Sequence, residues 1–276
     1  VIAALPLVLL VSGGPVPNGL RWERRLESAL QRARAENKPV MVDFWAEWCE
    51  WCHRLDQTTY ADPVVRQQLA GFVTVKIDAE GTNGGPQTAA QYDVDSLPTI
   101  VFLSPTGRLL LKVTGYQGPG QFPETLAEVK EVAAKVAGWE AALTKNPGDP
   151  VPLSGLGLHL FDQEALTESS GLLEKARVHD DQRPTRERKQ TRAVLGVIDM
   201  QERKYPEAET VLREALSLPA VEDYDARILF ILGRMYLRWG RPDEARVCFK
   251  SILDSHASSS VAQKARGMLV ELERKP

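Results

Sequence analysis

Val42-Asp43-Phe44-Trp45-Ala46-Glu47-Trp48-Cys49-Glu50-Trp51-Cys52 ends in two cysteines three positions apart. The run from Val40 to Trp45 is apolar and rich in β-branched and aromatic residues, the composition of a buried strand. The cysteines fall where such a strand ends and a helix begins. A helix N-terminus offers unpaired N–H groups and the positive end of the helix dipole, and both stabilise a thiolate. This placement makes Cys49 a candidate nucleophile. Cys52, one helical turn on, is positioned to resolve a mixed disulfide.

Two other readings compete for the pair: half of a zinc site and a structural disulfide. Zinc needs four ligands. The remaining cysteine is Cys248, and the four histidines, His53, His159, His179 and His256, are scattered along the chain. The strand–turn–helix context favours redox chemistry over both.

Three separated elements then agree in order and spacing. Val42 to Cys49 resembles the active-site strand of the thioredoxin family. Leu97-Pro98-Thr99 resembles the loop whose proline is cis in that fold and faces the cysteine pair. Ile100 to Leu103 and Leu109 to Val113 resemble its last two strands, joined by Ser104-Pro105-Thr106-Gly107 and followed by Gly115. The resemblance covers about residues 20–137. Within the superfamily, Trp48 to Leu55 and Thr59 to Val65 are similar to periplasmic thioredoxin-like domains such as the C-terminal domain of DsbD.

The resemblance implies a site. Cys49 would attack a substrate disulfide, Cys52 would resolve the intermediate, and the Cys49–Cys52 pair would itself be the redox group, with no separate cofactor. Asp43 lies on the strand six residues before Cys49. A carboxylate in an apolar strand is costly unless it has a partner or a task. The family role is to assist proton transfer at Cys52; the other reading is a hydrogen-bonded structural acid. The lysine that accompanies this acid in ordinary thioredoxin is replaced by Thr74, with Lys76 two residues further along. Pro98 shapes the substrate groove, and Leu97 and Thr99 would offer backbone groups to an extended substrate. Trp48 and Trp51 are aromatics beside the nucleophile, read either as substrate contact surface or as packing under the active-site helix. Glu47 and Glu50 raise a neighbouring thiol pKa, and a protonated His53 would oppose them. Glu50-Trp51 stands where the family usually has Gly-Pro.

The chain has 276 residues, 43% hydrophobic and 26% charged, with a net charge of −3. That length suits two domains, and the charge gives no reason to invoke nucleic acid. Val1 to Val11 is apolar apart from Pro6, and Ser12-Gly13-Gly14-Pro15 follows. A bilayer-spanning helix needs about 20 residues; residues 1–15 suit the apolar core of a secretory signal peptide. An exported, periplasmic protein is expected, in a compartment that permits disulfides.

Residues 20–145 read as the thioredoxin-like domain, beginning with an amphipathic helix from Leu20 to Glu36 and ending with a helix from Phe122 to Leu143. The turn cluster Asn146-Pro147-Gly148-Asp149-Pro150 marks a boundary. Residues 151–276 read as all-helical repeats. Leu195-Gly196, Ala208 and Leu212 recur 37 residues later as Leu232-Gly233, Ala245 and Phe249. The pattern resembles the tetratricopeptide repeat, whose period is about 34. Leu156-Gly157, Ser169 and Leu173 form an earlier copy, and Val261 to Glu273 a terminal helix. The cluster from Arg183 to Arg192 reads as a solvated helix start, and Cys248 as a small core residue.

The expected fold is thus an α/β thioredoxin domain, a central mixed sheet flanked by helices, followed by an all-α tetratricopeptide-like domain. The expected activity is reduction or isomerisation of protein disulfides, supplied with electrons by a membrane or thioredoxin-type donor, with an unknown protein docked on the repeats. The rival is a repeat-based interaction protein whose disulfide is structural or regulatory.

Overall fold

The computed structural model describes residues 20–274. The signal-like segment at residues 1–15 lies outside them. The chain divides into two compact units between Lys135 and Val136.

The first unit is built on a five-stranded sheet of order β1-β3-β2-β4-β5: β1 (Trp22–Glu23), β2 (Val40–Trp45), β3 (Val73–Asp78), β4 (Thr99–Leu103) and β5 (Leu109–Thr114). β1, β3 and β2 run parallel, whereas β4 and β5 run antiparallel to their neighbours. Parallel neighbours need crossovers, and helices supply them. α1 (Leu26–Glu36) joins β1 to β2, and α2 (Glu50–Arg54) and α3 (Pro63–Leu69) join β2 to β3; α4 (Gly85–Gln91) leads instead into the antiparallel β4. α2 continues into a π-helical turn, Leu55–Thr59. Asp62 caps α3 by accepting the Val64 and Val65 N–H groups, and Pro63 occupies the first turn, where its missing N–H costs nothing. Val40, Met41, Val42, Asp43 and Phe44 are fully buried, so β2 is the centre of the core. This is the mixed, helix-flanked sheet of a thioredoxin fold.

The first helix begins later than the sequence pattern suggests. Trp22 and Glu23 pair with Thr74 and Val75 as an edge strand, and Leu26, Ala29 and Ala33 form the buried helix face. Leu97-Pro98 is a cis peptide, as the resemblance implies.

A long helix, α5 (Phe122–Lys145), crosses the division between the units. In the first unit it buries Phe122, Leu126 and Val129, and Phe122 joins an aromatic cluster with Tyr60 and Phe102.

The second unit is helical: α6 (Pro150–Asp162), α7 (Leu166–Val178), α8 (Thr185–Gln201), α9 (Tyr205–Ser217), α10 (Glu222–Arg238), α11 (Pro242–Ser255) and α12 (Ala262–Arg274). α6 packs on α7, α8 on α9, α10 on α11, and α12 closes against α11. The glycine of each repeat explains the pairing. A Cβ at Gly157 would lie 2.6 Å from Leu173, at Gly196 2.5 Å from Leu212, and at Gly233 2.5 Å from Phe249. Each hairpin closes by pressing a large side chain onto a bare backbone. In the earliest copy Ser169 replaces the alanine and donates to the Gly157 carbonyl at 2.7 Å.

The basic cluster is not a solvated helix start. Lys189 is fully buried and Arg192 nearly so. They precede Gly196 by seven and four residues on α8, so helical periodicity turns them to the same inward face. Lys189 Nζ donates to the Ala215 carbonyl at 2.8 Å and pairs with Asp225. Arg192 pairs with Asp180 at 2.5 Å and Glu214 at 2.8 Å.

The glycine contacts make a paired test. Gly233→Ala should destabilise the helical unit by about 1–3 kcal/mol, because Phe249 is rigid and fully buried. Gly171→Ala on α7 meets nothing within 4 Å and should stabilise by up to about 1 kcal/mol. Urea unfolding followed by circular dichroism measures both; shifts of the same sign would show that the close approach is not what requires glycine at 233.

Candidate functional site

β2 ends at Trp45, and the chain turns through Ala46 to Trp48 before α2 begins. Cys49 is the N-cap residue of α2, and its sulfur accepts the Cys52 N–H at 3.2 Å. Cys49 and Cys52 form a disulfide, with Cα atoms 5.2 Å apart. Cys49 keeps 3% of its surface and Cys52 1%. Ala46, Trp45 and Leu97 pack against the pair, so the residue before the cis-proline lies on the disulfide.

Pro98 is buried, and its carbonyl accepts the Gly115 N–H at 2.8 Å. Thr99 is buried in β4, with β2 on one side and β5 on the other, and its hydroxyl donates to the Ser96 carbonyl at 2.8 Å. Of the two residues flanking Pro98, the half-buried Leu97 is therefore the more accessible. Trp48 and Trp51, each one residue before a cysteine, are 63% and 53% exposed. Trp48 Nε1 donates to Glu80 at 3.0 Å. Trp51 lies against Tyr116, with ring centroids 5.4 Å apart, and Arg54 covers both rings. His53 donates through Nε2 to the Glu47 carbonyl at 2.7 Å, not to a carboxylate.

Asp43 has no exposed surface. Thr74 does not stand beside it: the register places Thr74 opposite Met41, where its hydroxyl bonds the Arg21 carbonyl, and sets Lys76 directly opposite Asp43. The offset inferred from the sequence therefore disappears. Lys76 Nζ is 3.4 Å from Asp43 Oδ2 and also pairs with Asp56. The rings of Trp22, Trp45 and Tyr60 surround the ammonium at 5.4–5.9 Å. Burial pushes the Asp43 carboxyl up to about 6, against the opposing pull of Lys76. Tyr60 is buried with it, and desolvation, then the Asp43 charge, raises its hydroxyl well above the usual range. A cavity of about 470 Å³ lined by Trp22, Trp45, Lys76 and Asp78 opens beside the lysine. Asp43 thus meets a cation that solvent reaches, though it is itself sealed from water.

The structure brings Cys49, Cys52 and Leu97 into one cluster and places Trp48 and Trp51 at its rim. Asp56, Tyr60 and Glu80 join the site from positions that sequence reasoning does not assign to it, and Lys76, expected as only an approximate substitute for the family lysine, joins as the direct partner of Asp43. Of these, only Lys76 carries a readable signal, the register of two adjacent strands. Among the described residues no three of His, Cys, Asp and Glu gather as a metal site. The redox group of the site is the disulfide.

Residues 21–105 match the family model described as thioredoxin-like. A thiol:disulfide interchange protein DsbD from Yersinia pestis (strain Pestoides F) is 33% identical over 103 residues, 36% of this chain and 17% of that protein. Its counterpart from Campylobacter jejuni (strain RM1221) is 33% identical over 91 residues, 33% of this chain and 16% of that protein. The chain therefore spans about a sixth of the length of these curated relatives. Among solved structures, a thioredoxin from Thermus thermophilus is 30% identical, covering 42% of this chain and 90% of that chain with a TM-score of 0.39. The oxidised C-terminal domain of Neisseria meningitidis DsbD is 22% identical, covering 39% and 98% with a TM-score of 0.34. Fold, cysteine spacing and sequence likeness together support a general capacity for thiol–disulfide redox chemistry.

The buried acid sets a pH signature. Asp43 has a folded pKa of about 6, above the value of about 3.9 for a free carboxyl. Below about pH 4 both states hold the proton. Between about pH 4 and about pH 6 the unfolded chain ionises first, so stability falls as pH rises, by on the order of 3 kcal/mol. Asp43→Asn should remove that decline and be the more stable protein at neutral pH. Urea unfolding of both oxidised proteins across this window measures it; parallel stability curves would mean that Asp43 is not the group titrating there.

Proposed function

We propose that this chain is an exported thiol–disulfide oxidoreductase that reduces or isomerises protein disulfides, and that its helical repeats dock a partner. The observation that carries the reading is the Cys49–Cys52 disulfide at the N-terminus of α2, packed against the residue that precedes cis-Pro98. In the reducing direction the Cys49 thiolate attacks one substrate sulfur. A mixed disulfide forms and one substrate thiolate leaves. The Cys52 thiol loses its proton and attacks the Cys49 sulfur, releasing the second substrate thiolate and regenerating the Cys49–Cys52 bond. Two electrons pass to the substrate, and a dithiol donor, membrane-bound or thioredoxin-type, must restore them. Asp43 is the group assigned to accept the Cys52 proton, since a carboxyl near 6 is matched to proton exchange at neutral pH. Lys76 positions it and holds its charge. Leu97, Trp48 and Trp51 are the substrate contacts, and Thr99 supports the loop from within the sheet.

Export and a DsbD-like exchange role are supported by the likeness to DsbD proteins. The repeats support a docking role because stacked hairpins present extended faces. One observation favours the rival reading of a structural disulfide: both cysteines are almost covered in the oxidised state.

Turnover separates the two. Cys49→Ser should abolish reduction of a protein disulfide, and Cys52→Ser should accumulate a mixed disulfide with substrate, read by non-reducing electrophoresis and mass spectrometry. No turnover by the wild-type protein, with a Cys49–Cys52 bond that resists dithiol reductants in the native state, would establish the structural reading instead.

The proposed domain limits have a separate test. Residues 20–145 hold every group assigned to the chemistry and should fold and retain reductase activity. Val136 is buried within the second unit, and Trp139 lies against Gly155. Cutting at 145 strips both of their cover, so the fragment ending at 135 should be the more soluble of the two. Folded but inactive fragments would assign part of the active site to the repeats.

A further inference from the structure

The rim of the disulfide has a charge as well as an apolar face. Glu47 and Glu50 flank Cys49 in the chain and both are exposed. Glu80 lies just beyond the end of β3 and accepts the Trp48 indole N–H at 3.0 Å, which draws a third exposed carboxylate to the same rim. None of the three makes an ion pair among the described residues. The neighbouring cations are otherwise engaged. Arg54 lies over the Trp51 and Tyr116 rings at 5.5 and 5.7 Å, and His53 donates to a backbone carbonyl. Lys76 belongs to Asp43 and Asp56. The three carboxylates stand around two exposed tryptophans without a countercharge of their own.

Exposed charges at such a mouth act on what approaches. Fields of this kind alter association rates by about 10- to 1,000-fold, and they fade as salt shortens the screening length. A tryptophan face also attracts a cation directly. Glu80 has a second effect, because its hydrogen bond fixes the Trp48 ring in its exposed position.

We propose that this rim selects its substrate: the site takes disulfides whose cysteines are flanked by lysine or arginine and disfavours those flanked by aspartate or glutamate, with Glu47, Glu50 and Glu80 as the specificity-determining carboxylates and Glu80 also positioning Trp48. The inference rests on the redox reading of the Cys49–Cys52 pair and names the substrate class for it. The chemistry is unchanged: the reduced pair gives two electrons to the peptide disulfide, the peptide leaves as two thiols, and the Cys49–Cys52 bond forms.

The test uses the full chain, reduced beforehand and freed of reductant, in single turnover. Two disulfide-linked peptides of one sequence differ only in carrying lysines or glutamates beside the cysteine, and thiol release is followed by stopped flow. The lysine peptide should react about ten times faster at low ionic strength, and the ratio should approach one near about 0.5 M salt. The triple variant Glu47→Gln, Glu50→Gln, Glu80→Gln should lose most of that ratio. The amide that Glu80→Gln introduces retains an acceptor oxygen for Trp48, and any change in the Cys49 thiol caused by removing charge acts on both peptides alike. A wild-type ratio near one, or a ratio that the triple variant preserves, would overturn the selectivity while leaving the redox function standing. Failure to react with either peptide would overturn the redox reading, and this inference with it.

Discussion

Asp43 occupies the middle strand of the sheet with β3 on one side and β4 on the other, and it has no exposed surface. A carboxylate there must be answered, and Lys76, directly across on β3, answers it. Side chains alternate faces along a strand, so a one-residue slip between β2 and β3 would send Lys76 to the opposite face. The buried charge would then stand alone, at a cost of about 3–5 kcal/mol. The ion pair therefore penalises every register but the one observed. Register fixes where β2 ends, and the end of β2 fixes Cys49 at the start of α2. A pairing that looks secondary to the cysteines holds them in place.

The helical unit follows the same logic with other chemistry. Gly157, Gly196 and Gly233 set the distance at which each hairpin closes. Lys189 with Asp225, and Arg192 with Asp180 and Glu214, set which helices may face each other. Such pairs add little net stability against well-packed apolar residues, because desolvation offsets the attraction, yet separating them is costly. They act against alternative packings more than they deepen the correct one. A repeat unit can use such devices, since helices that share one packing pattern can stack in more than one register.

The parts of this architecture that are legible in the sequence share one property: their signal lies within a short window. The apolar run Val40 to Trp45, the cysteine spacing, the cap Asp62-Pro63 and the recurring Leu-Gly pairs are local patterns, and each element appears where its pattern falls. The parts that mislead depend on contacts between distant segments. Trp22 and Glu23 look like the first turn of a helix until β3 offers them an edge. The residues from Arg183 to Arg192 look solvated because charge outnumbers apolar residues there, whereas the helical phase counted back from Gly196 turns Lys189 and Arg192 inward. Analogy of position sets Thr74 against Asp43; β2–β3 register decides for Lys76. Glu80 has no local signal, because its role depends on a loop that brings it back to Trp48.

Two electrostatic influences meet at Cys49. The Cys52 N–H points at the Cys49 sulfur from 3.2 Å, inside a cluster closed by Ala46, Trp45 and Leu97. A donor at contact distance and out of water stabilises a thiolate with little screening. Glu47 and Glu50 oppose it, but they are exposed, and unit charges about 4 Å apart in water interact by only about 1 kcal/mol, less with salt. On a thiolate formed at Cys49, a donor held there would act through less solvent than the two carboxylates do. The carboxylates are left to act where screening is weakest for them, on a charged segment brought into contact with the rim, while the dry interior of the site governs the sulfur. Placing the acids outside and the donor inside separates the group that faces the sulfur from the charges that face an approaching segment.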